Sequence, residues 1–364
     1  MTPALRRSLA LQREQYAGPV LLYDLAAVRA RIERLHALEE RHRCRFLFAG
    51  KAFGHPQVWS FLAHHGVGLD LSNEGELAQL SENFAGWNRC LVSVTGPNPG
   101  LLSRWMKKVD GTLIVNVDSS LQYRGIQSEL GEHVKLGARI ALGCAARGKA
   151  TRFGIAPTDE ALSELSADPR FCGLHCHIGN EDNGSDTYLE IASSLLRVRE
   201  RFGLRVRYLN LGGGLHLLQD SGIPLLLERL RAFVPMEIEL FFEPGSFWFG
   251  GAGYAMTEVL DVRRDPDLVV LDISRECHLR WSTPRLLVPP ANGASRRRIL
   301  FVGPTCYEAD VIGSFQVPEA ANGTFPVRRG DRLIFSCVSS YSASWNTGFN
   351  GIAPAQVVFH GIDE

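Results

Sequence analysis

The sequence predicts an α/β protein, a (β/α)8 barrel followed by a second, all-β domain. Between residues 44 and 242, eight short apolar segments alternate with segments of helical periodicity, and parallel strands need such helical crossovers. Eight such units in about 220 residues fit a closed barrel. After Gly251 the chain consists of short apolar runs separated by turn sequences such as "ANG" and "RRGD", which indicate β-structure. The early run "PVLLYDL" is predicted to add an N-terminal strand to this second domain.

The first predicted helix, "DLAAVRARIERLHALEERH", begins at a possible N-cap, Asp24, and places apolar residues at helical spacing. "PQVWSFLAHHG" and "SDTYLEIASSLLRVRERFG" are further helices, the former with proline in its first turn. The predicted barrel strands are Cys44–Ala49, Val67–Leu71, Cys90–Val94, Thr112–Val117, Val134–Leu142, Phe171–His177, Val206–Leu211 and Ile238–Phe242. We therefore assign residues 24–251 to the barrel and residues 252–364, with about 1–23, to the β-domain.

Composition narrows the class of protein. The 364 residues contain 39 Lys plus Arg and 39 Asp plus Glu, a net charge of zero, so neither nucleic acid nor an anionic membrane is predicted as a partner. No apolar run approaches the roughly 18 residues that suggest a membrane span. The N-terminal residues do not read as a signal or transit peptide. The eight cysteines are scattered, so we expect reduced thiols and a cytoplasmic location.

Polar residues follow several predicted strands at their carboxyl ends, where barrels carry their chemistry. "FLFAGKAFGH" places Lys51 after the first strand, and Asp70 comes at the end of the second. His177 ends the sixth strand, Gly212–Gly214 follow the seventh, and Glu243 follows the eighth. The loops after strands seven and eight are the recurrent phosphate site of such barrels. Pyridoxal phosphate is the cofactor that this combination favours: a lysine, a glycine-rich phosphate loop, a histidine and a carboxylate at one end of the barrel.

Each of these residues alone has an ordinary structural explanation: an exposed lysine, a tight turn, a core histidine or a carboxylate paired with arginine. Their joint placement favours the cofactor site. The segment "FCGLHCHIG" also suggests zinc, but on a strand His175 and His177 share one face and Cys176 points to the other. We therefore predict no metal site.

Motifs along the chain resemble those of the alanine-racemase-type barrel decarboxylases, the ornithine and diaminopimelate decarboxylase group. They run in the expected order from Pro19 to about Gly351: "PVLLYDLAAVRARI", "FAGKAFGHPQVWSFLAHHGVGLDLSNEGELAQL", "TRFGI", "LHCHIGN", "LNLGGGLH", "FFEPGSF", "GPTCYEADVIG" and "YSASWNTGFNG". Single motifs are modest signals, and the ordered set is specific.

The resemblance implies that Lys51 holds the cofactor as a Schiff base, His177 stacks on its ring, and Glu243 pairs with the ring nitrogen. A carboxylate there favours the protonated ring that accepts electrons from decarboxylation, whereas arginine would suit racemisation better. Cys306 would return a proton to Cα in the neighbouring subunit's site, which implies a head-to-tail homodimer with shared active sites. The other implied cofactor contacts are Asp70, Arg152, Asn180, Gly212, Gly213, Gly214, Gly245, Ser246 and Tyr341.

The sequence departs from the family pattern at three positions. Ser246 stands where many relatives have arginine, and Asn180 where many have serine. Tyr307 follows Cys306, where many relatives have an acid that meets a distal amine. We therefore predict a substrate with an acidic or neutral distal group, because arginines grip carboxylates well. Candidate substrate residues are Arg275, His278, Arg280, Tyr307 and Glu308, although the arginines also fit solvated surface charges.

These observations predict a PLP-dependent amino-acid decarboxylase of specialised metabolism, such as siderophore or antibiotic biosynthesis. Its small-molecule amino-acid substrate would be free or attached to a carrier. Three alternatives remain open: a diaminopimelate- or ornithine-type decarboxylase of primary metabolism, an amino-acid racemase on the same barrel, and a catalytically silent regulatory homologue.

Overall fold

A computed structural model describes residues 5, 15–83, 86–96, 111–142, 151–177, 184–218, 221–287, 295–319 and 325–362. The chain divides into two compact units. We call Arg31–Trp248 the barrel unit, and Met1–Ala30 together with Phe249–Glu364 the β-unit.

The described strands follow one another along the chain as β1 (Val20–Asp24), β2 (Cys44–Phe46), β3 (Phe48–Ala49), β4 (Leu69–Leu71), β5 (Val92–Thr95), β6 (Leu113–Val117), β7 (Lys135–Arg139), β8 (Phe171–His175), β9 (Tyr208–Asn210), β10 (Glu239–Phe242), β11 (Gly253–Arg264), β12 (Asp267–Leu271), β13 (Arg285–Leu286), β14 (Arg296–Val302), β15 (Val311–Pro318), β16 (Arg332–Ser336) and β17 (Gln356–His360). The described helices are α1 (Leu25–His42), α2 (Pro56–His64), α3 (Glu74–Asn83), α4 (Ser120–Ile126), α5 (Asp159–Ser166), α6 (Ser185–Arg201), α7 (Gly222–Arg231) and α8 (Ser340–Ser344).

The barrel unit is built on one parallel sheet in the order β2-β10-β9-β8-β7-β6-β5-β4-β3. Only Leu47 separates β2 from β3, so the path of strands returns to its start. The N–H of Leu47 donates to the carbonyl of Phe242 at 2.8 Å, and that of Phe48 to the carbonyl of Gly68 at 2.8 Å. The predicted barrel is confirmed, with its first strand split into two pieces.

A tyrosine fills part of the barrel interior. Tyr208 on β9 is buried, and its hydroxyl donates to Oδ1 of Asn116 on β6 at 2.8 Å. A Cβ atom on Gly173 would lie 1.9 Å from Cζ of this ring, and one on Gly137 would lie 2.1 Å from its hydroxyl oxygen. Two strands therefore carry glycine where the ring passes, and the barrel is packed through its centre.

The outer helices present an apolar stripe to the sheet. On α6 the buried positions include Tyr188, Ile191, Leu195 and Val198, three or four residues apart. This spacing places them on one helical face, so the burial of that face stabilises the helix. At α4 the Ser119 side chain caps the helix by accepting from the Gln122 N–H at 3.0 Å.

The β-unit is an eight-stranded sheet whose main path is β13-β16-β11-β12-β14-β15. Strand β1 pairs antiparallel with β11 and parallel with β17. Every residue of β1 is buried, and Val20 and Leu22 pack against Tyr254, Met256 and Val358. The predicted contribution of an N-terminal strand to this domain is confirmed. Among the described residues, no helix has the length and apolar character needed to cross a membrane.

Candidate active site

Lys51 lies directly after β3, in the 3-10 turn Gly50–Ala52. The Phe53 N–H donates to the Gly50 carbonyl at 3.1 Å and closes the turn, which leaves the lysine side chain exposed. Its positive charge acts on the carboxyl groups of Asp70, Glu76 and Glu243 and on the ring of His177. The structure thus brings these ionisable groups together at the carboxyl end of the strands.

Glu243 follows β10 and is 7% exposed. Nδ2 of Asn210 donates to its Oε1 at 2.6 Å, and Nε2 of His175 lies 3.3 Å from each carboxylate oxygen. Burial by itself raises the pKa of Glu243, but the hydrogen bond from His175 and the positive charge of Lys51 act against burial, and that pKa is lowered overall. Glu243 is therefore an ionised carboxylate at neutral pH, and no arginine is bonded to it among the described residues.

Asp70, on β4, is also buried, but its surroundings shift its pKa in the opposite direction to that of Glu243. Its Oδ1 atom has no hydrogen-bond partner among the described residues. Burial raises the pKa of Asp70 well above its usual value, and the negative charge of Glu243 raises it further, while Lys51 opposes both. The mouth therefore lowers the pKa of one buried carboxyl group and raises that of the other.

His177 lies two residues beyond the end of β8, because the strand ends at His175 and not at His177 as predicted. Its Nδ1 accepts a hydrogen bond from the Gly213 N–H at 2.8 Å. Burial, together with the positive charge of Lys51, lowers the pKa of His177 to about 3. The ring is consequently neutral at physiological pH.

The glycine loop after β9 approaches both the histidine and the glutamate. Gly212 and Gly214 have φ angles of 72° and 96°, a left-handed conformation that favours glycine. A Cβ atom on Gly212 would lie 2.5 Å from Nδ1 of His177, and one on Gly213 would lie 2.8 Å from the Glu243 carbonyl oxygen. Larger residues would therefore collide with the site.

The amides of this loop are not equally available for an anion. The Gly212 N–H donates to Oδ1 of Asn210 at 3.0 Å, and that of Gly213 donates to His177. The amides of Gly214, Gly245 and Ser246 have no acceptor within the part of the chain that the structure describes. These three donors, on the loops after β9 and β10, form the better cradle for a phosphate.

Arg152 and Asn180 are the other predicted cofactor residues in the range of the barrel unit. Arg152 is exposed, with its guanidinium carbon 4.0 Å from the centre of the Phe153 ring. Asn180 lies outside the described residues. A second arginine, Arg139 at the end of β7, is buried, forms an ion pair with Asp118 at 3.3 Å and contributes positive charge near His177.

In the β-unit, Cys306 is exposed on a loop that a buried carboxylate organises. The Cys306 N–H donates to Oδ1 of Asn350 at 3.2 Å. Asp310 accepts hydrogen bonds from the Ser274 hydroxyl at 3.0 Å and the Thr305 hydroxyl at 2.6 Å. Asp310 therefore fixes the loop on both sides of the cysteine, and its carboxylate is used within the β-unit.

Two predicted substrate residues have their donors bonded inside the same segment. Nη1 of Arg275 donates to the carbonyls of Leu279 at 2.7 Å and Ser282 at 2.6 Å. His278 is fully buried, with Nδ1 accepting from the Ser274 N–H at 3.0 Å and Nε2 donating to the Ala353 carbonyl at 3.0 Å. These contacts argue against a substrate role for His278 and for that nitrogen of Arg275.

The other predicted residues of the β-unit lie at its surface. Arg280 is exposed, with its guanidinium 5.0 Å from the Trp345 ring centre. Tyr307 is 50% exposed and meets Phe349 edge to face at 6.2 Å, and Glu308 beside it is exposed. Tyr341 lies on α8 and is half-buried. No group of His, Cys, Asp and Glu able to hold a metal occurs among the described residues.

The comparisons with known proteins identify the class. A sequence model of the family "Pyridoxal-dependent decarboxylase, pyridoxal binding domain" matches residues 25–250, so the chain belongs to this family. It is a PLP-dependent amino-acid decarboxylase of the ornithine, diaminopimelate and arginine decarboxylase group.

The individual relatives are named after different substrates. The chain is 23% identical to diaminopimelate decarboxylase of Staphylococcus aureus (strain COL), over 97% of this chain and 90% of that protein. The Paramecium bursaria Chlorella virus arginine decarboxylase bound to agmatine superposes with a TM-score of 0.80 at 18% identity, covering 99% and 100% of the chains. Lysine/ornithine decarboxylase of Vibrio vulnificus, complexed with putrescine, gives 0.79 at 20% identity, covering 100% and 99%. At these identities the structural likeness shows the fold.

The residues at the barrel mouth fit pyridoxal phosphate. Glu243 is a buried carboxylate with no arginine partner in the described parts of the chain, which suits a cationic ring nitrogen. Three amides that have no acceptor among the described residues suit a phosphate, and the exposed Lys51 suits a bond to an aldehyde. His175 and Asn210, which hold Glu243, were not predicted. The periodicity of β8 placed His175 on the face of His177 and was the available signal, whereas nothing in the sequence pairs Asn210 with Glu243.

Proposed function

We propose that Lys51, Glu243 and His177 form the catalytic centre for decarboxylation at the barrel mouth. Lys51 would bind the cofactor aldehyde, His177 would pack on the ring as a neutral imidazole, and Glu243 would hold the ring nitrogen. The amides of Gly214, Gly245 and Ser246 would bind the phosphate. When bound, the cofactor accepts the electron pair that remains on Cα when the bond to the carboxylate breaks and CO2 leaves. Cys306 would then supply a proton from Sγ to Cα.

The position of Glu243, buried after β10 with Asn210 and His175 as hydrogen-bond partners, is the observation that carries this proposal. A carboxylate at the ring nitrogen keeps that nitrogen protonated, which favours loss of CO2 over racemisation. The sole nitrogen donors that contact the Glu243 carboxylate among the described residues are an amide and an imidazole. Decarboxylation therefore suits this site better than racemisation does.

The cofactor assignment can be tested by the visible absorption spectrum of the purified protein with added pyridoxal phosphate, before and after borohydride. Wild type should show an absorption band that reduction bleaches, and Lys51→Ala should not. Lys135→Ala is the matched control, because Lys135 begins β7 at the opposite end of the barrel strands. A wild-type protein without the band would overturn the enzyme proposal and favour the silent homologue.

We propose further that the substrate has an acidic or neutral distal group, and that the enzyme acts in the cytoplasm in specialised metabolism, on a free or carrier-bound amino acid. Tyr307 beside Cys306 supports the first part, since it presents an exposed phenol where many relatives present an acid. Arg280 is exposed on the same unit and can meet a carboxylate. Glu308 is the one neighbouring acid of Tyr307 that stays exposed, since Asp310 is buried.

A substrate panel tests this assignment. CO2 release should be faster with acidic or neutral amino acids than with lysine, ornithine, arginine or diaminopimelate. Arg280→Ala should lower kcat/KM for the acidic substrates selectively, whereas Arg296→Ala, an exposed arginine on β14, should not. Preference for a diamine-forming substrate would favour the role in primary metabolism, and an inverted amino acid on chiral analysis would favour the racemase.

The homodimer with shared sites has its own experiment. If Cys306 of one subunit serves Lys51 of the other, mixing the inactive variants Lys51→Ala and Cys306→Ala should restore activity, to about a quarter of wild type after random subunit exchange. Mixtures that remain inactive after confirmed exchange would contradict the shared site.

A further inference from the structure

We propose that His175 is a positioning residue that holds the Glu243 carboxylate as a neutral Nε2–H donor, so that Glu243 keeps its negative charge for the cofactor ring. This inference rests on the proposed function and assigns a role to a residue outside the predicted site.

The geometry fixes both partners of the carboxylate. His175 ends β8 and is fully buried, and its Nε2 lies 3.3 Å from each oxygen of Glu243. Asn210 ends β9, and its Oδ1 accepts from the Gly212 N–H at 3.0 Å. The amide of Asn210 must therefore turn its Nδ2 towards Oε1 of Glu243, where it donates at 2.6 Å. Two neighbouring strands thus set the orientation of the carboxylate.

The surroundings of the imidazole favour its neutral form. Nε2 must carry a proton, because an ionised carboxylate only accepts hydrogen bonds. Nδ1 is buried and has no partner within the described part of the chain. An imidazolium would place a second N–H at Nδ1 with no acceptor, and buried N–H groups without partners are rarer than buried acceptors without partners. The neutral tautomer with the proton on Nε2 avoids this cost.

The protonation state of His175 matters because it affects the negative charge that Glu243 presents to the cofactor ring. An imidazolium at His175 would compensate the carboxylate and weaken its effect on a cationic ring nitrogen. The other titratable groups that face this pair are Lys51, His177 and Asp70. Burial and Lys51 lower the pKa of His177 to about 3, so this ring is neutral at pH 7, and burial raises the pKa of Asp70. A neutral His175 therefore leaves Glu243 as a carboxylate whose charge is directed at the mouth.

The first experiment uses the cofactor-free protein labelled with 15N in its histidines. The chain has 11 histidines, and the His175 signal is assigned by its loss in His175→Gln or His175→Leu. Between pH 6 and 8 the wild-type ring should show one protonated nitrogen, Nε2, and one unprotonated nitrogen, Nδ1. Two protonated nitrogens at pH 7 would overturn the proposal.

The second experiment separates positioning from a structural role. His175→Gln keeps an N–H near the Nε2 position and should retain most activity, whereas His175→Leu should lower kcat by roughly 10- to 100-fold with little change in KM. Loss of the donor raises the pKa of Glu243, so the acid limb of the pH profile in His175→Leu should move to higher pH. His65→Gln, which changes a histidine at the end of α2, should leave the profile in place.

The outcomes distinguish this inference from the proposed function. A wild-type protein that binds no cofactor ends the proposed function, and the 15N spectrum still decides the state of His175. A wild-type enzyme that is active, with an unchanged pH profile in folded His175→Leu, overturns the inference alone. If His175→Leu does not fold, the comparison of His175→Gln with wild type and the 15N spectrum remain decisive.

Discussion

At the scale of single residues, the pKa values of two buried carboxyl groups at the barrel mouth are shifted in opposite directions. Glu243 receives donors from Asn210 and His175, which stabilise its charge. Burial raises the pKa of Asp70, the charge of Glu243 raises it further, and its Oδ1 has no hydrogen-bond partner among the described residues. Burial raises the pKa of both carboxyl groups, and the donors and positive charge around Glu243 reverse the effect only there.

Replacement of Glu243 by glutamine should abolish most decarboxylation while the fold is retained. The amide keeps the shape of the side chain and removes its charge, so kcat should fall by about 100-fold or more. The measurement is CO2 release, with circular dichroism to confirm folding. Glu239→Gln, on the same strand but at its start, is the matched control, and equal activity of the two variants would contradict a role for the Glu243 charge.

Asp70→Asn should stabilise the cofactor-free protein at neutral pH. The pKa of Asp70 is raised in the folded state, whereas the unfolded chain ionises near pH 3.9. Below that pH both states hold the proton, so the residue has no effect. As pH rises above it, wild type loses stability, because its folded state resists ionisation while the unfolded state ionises freely. Asparagine removes this loss.

Thermal denaturation at pH 4 and pH 8 measures the effect. The melting temperature of Asp70→Asn should exceed that of wild type at pH 8, by about 2–4 °C per kcal/mol, and the gain should shrink towards pH 4. Asp186→Asn changes an aspartate that is 87% exposed and should show no such gain. A lower melting temperature for Asp70→Asn at pH 8 would show that Asp70 is ionised.

The positions of the site residues were predictable, but their partners were not. Lys51, Asp70 and Glu243 follow apolar runs, so the sequence shows that they lie at strand ends. The bond between Asn210 and Glu243 depends on how two strands are aligned, which no local pattern specifies. Arg275 was predicted to meet substrate, but the chain folds back and supplies two carbonyls to its guanidinium.

At the scale of elements, periodicity predicts strands well, because each apolar run is buried between helices on one side and the barrel interior on the other. The run Cys44–Ala49 shows the limit, since Leu47 interrupts it and bonds to Phe242 while its neighbours on either side pair with different strands. This change of pairing partner results from closure of the barrel. The six-residue sequence of the run does not by itself predict it.

Gly173→Ala should disrupt the barrel. The added Cβ would lie 1.9 Å from the Tyr208 ring, and both lie in a packed interior, so the free energy of unfolding should fall by about 3 kcal/mol or more. Urea denaturation measures the loss, and Tyr208→Leu in the same chain should recover part of it. Gly125→Ala on α4 has open space around its Cβ and should instead stabilise by up to about 1 kcal/mol.

At the scale of the whole molecule, β1 joins strands that lie far apart in the sequence. Leu22→Asp should destabilise the β-unit strongly, because it buries a charge in the cluster with Tyr254 and Val358. Hydrogen exchange should rise in β11 and β17. Leu121→Asp, at a leucine that is 79% exposed, should leave exchange unchanged. Unaltered exchange in folded Leu22→Asp would contradict the importance of β1.

The pairing of β1 with β17 also has a consequence for synthesis on the ribosome. Asp24 and Gln356 delimit a gap of more than three hundred residues, so the apolar segment Val20–Tyr23 emerges long before its parallel partner exists. At 5–20 residues per second this delay is roughly 15 to 70 seconds. During that time the nascent chain exposes an apolar strand without its parallel partner, and such unpaired strands are prone to aggregate. This short segment is therefore where a chaperone would be needed first.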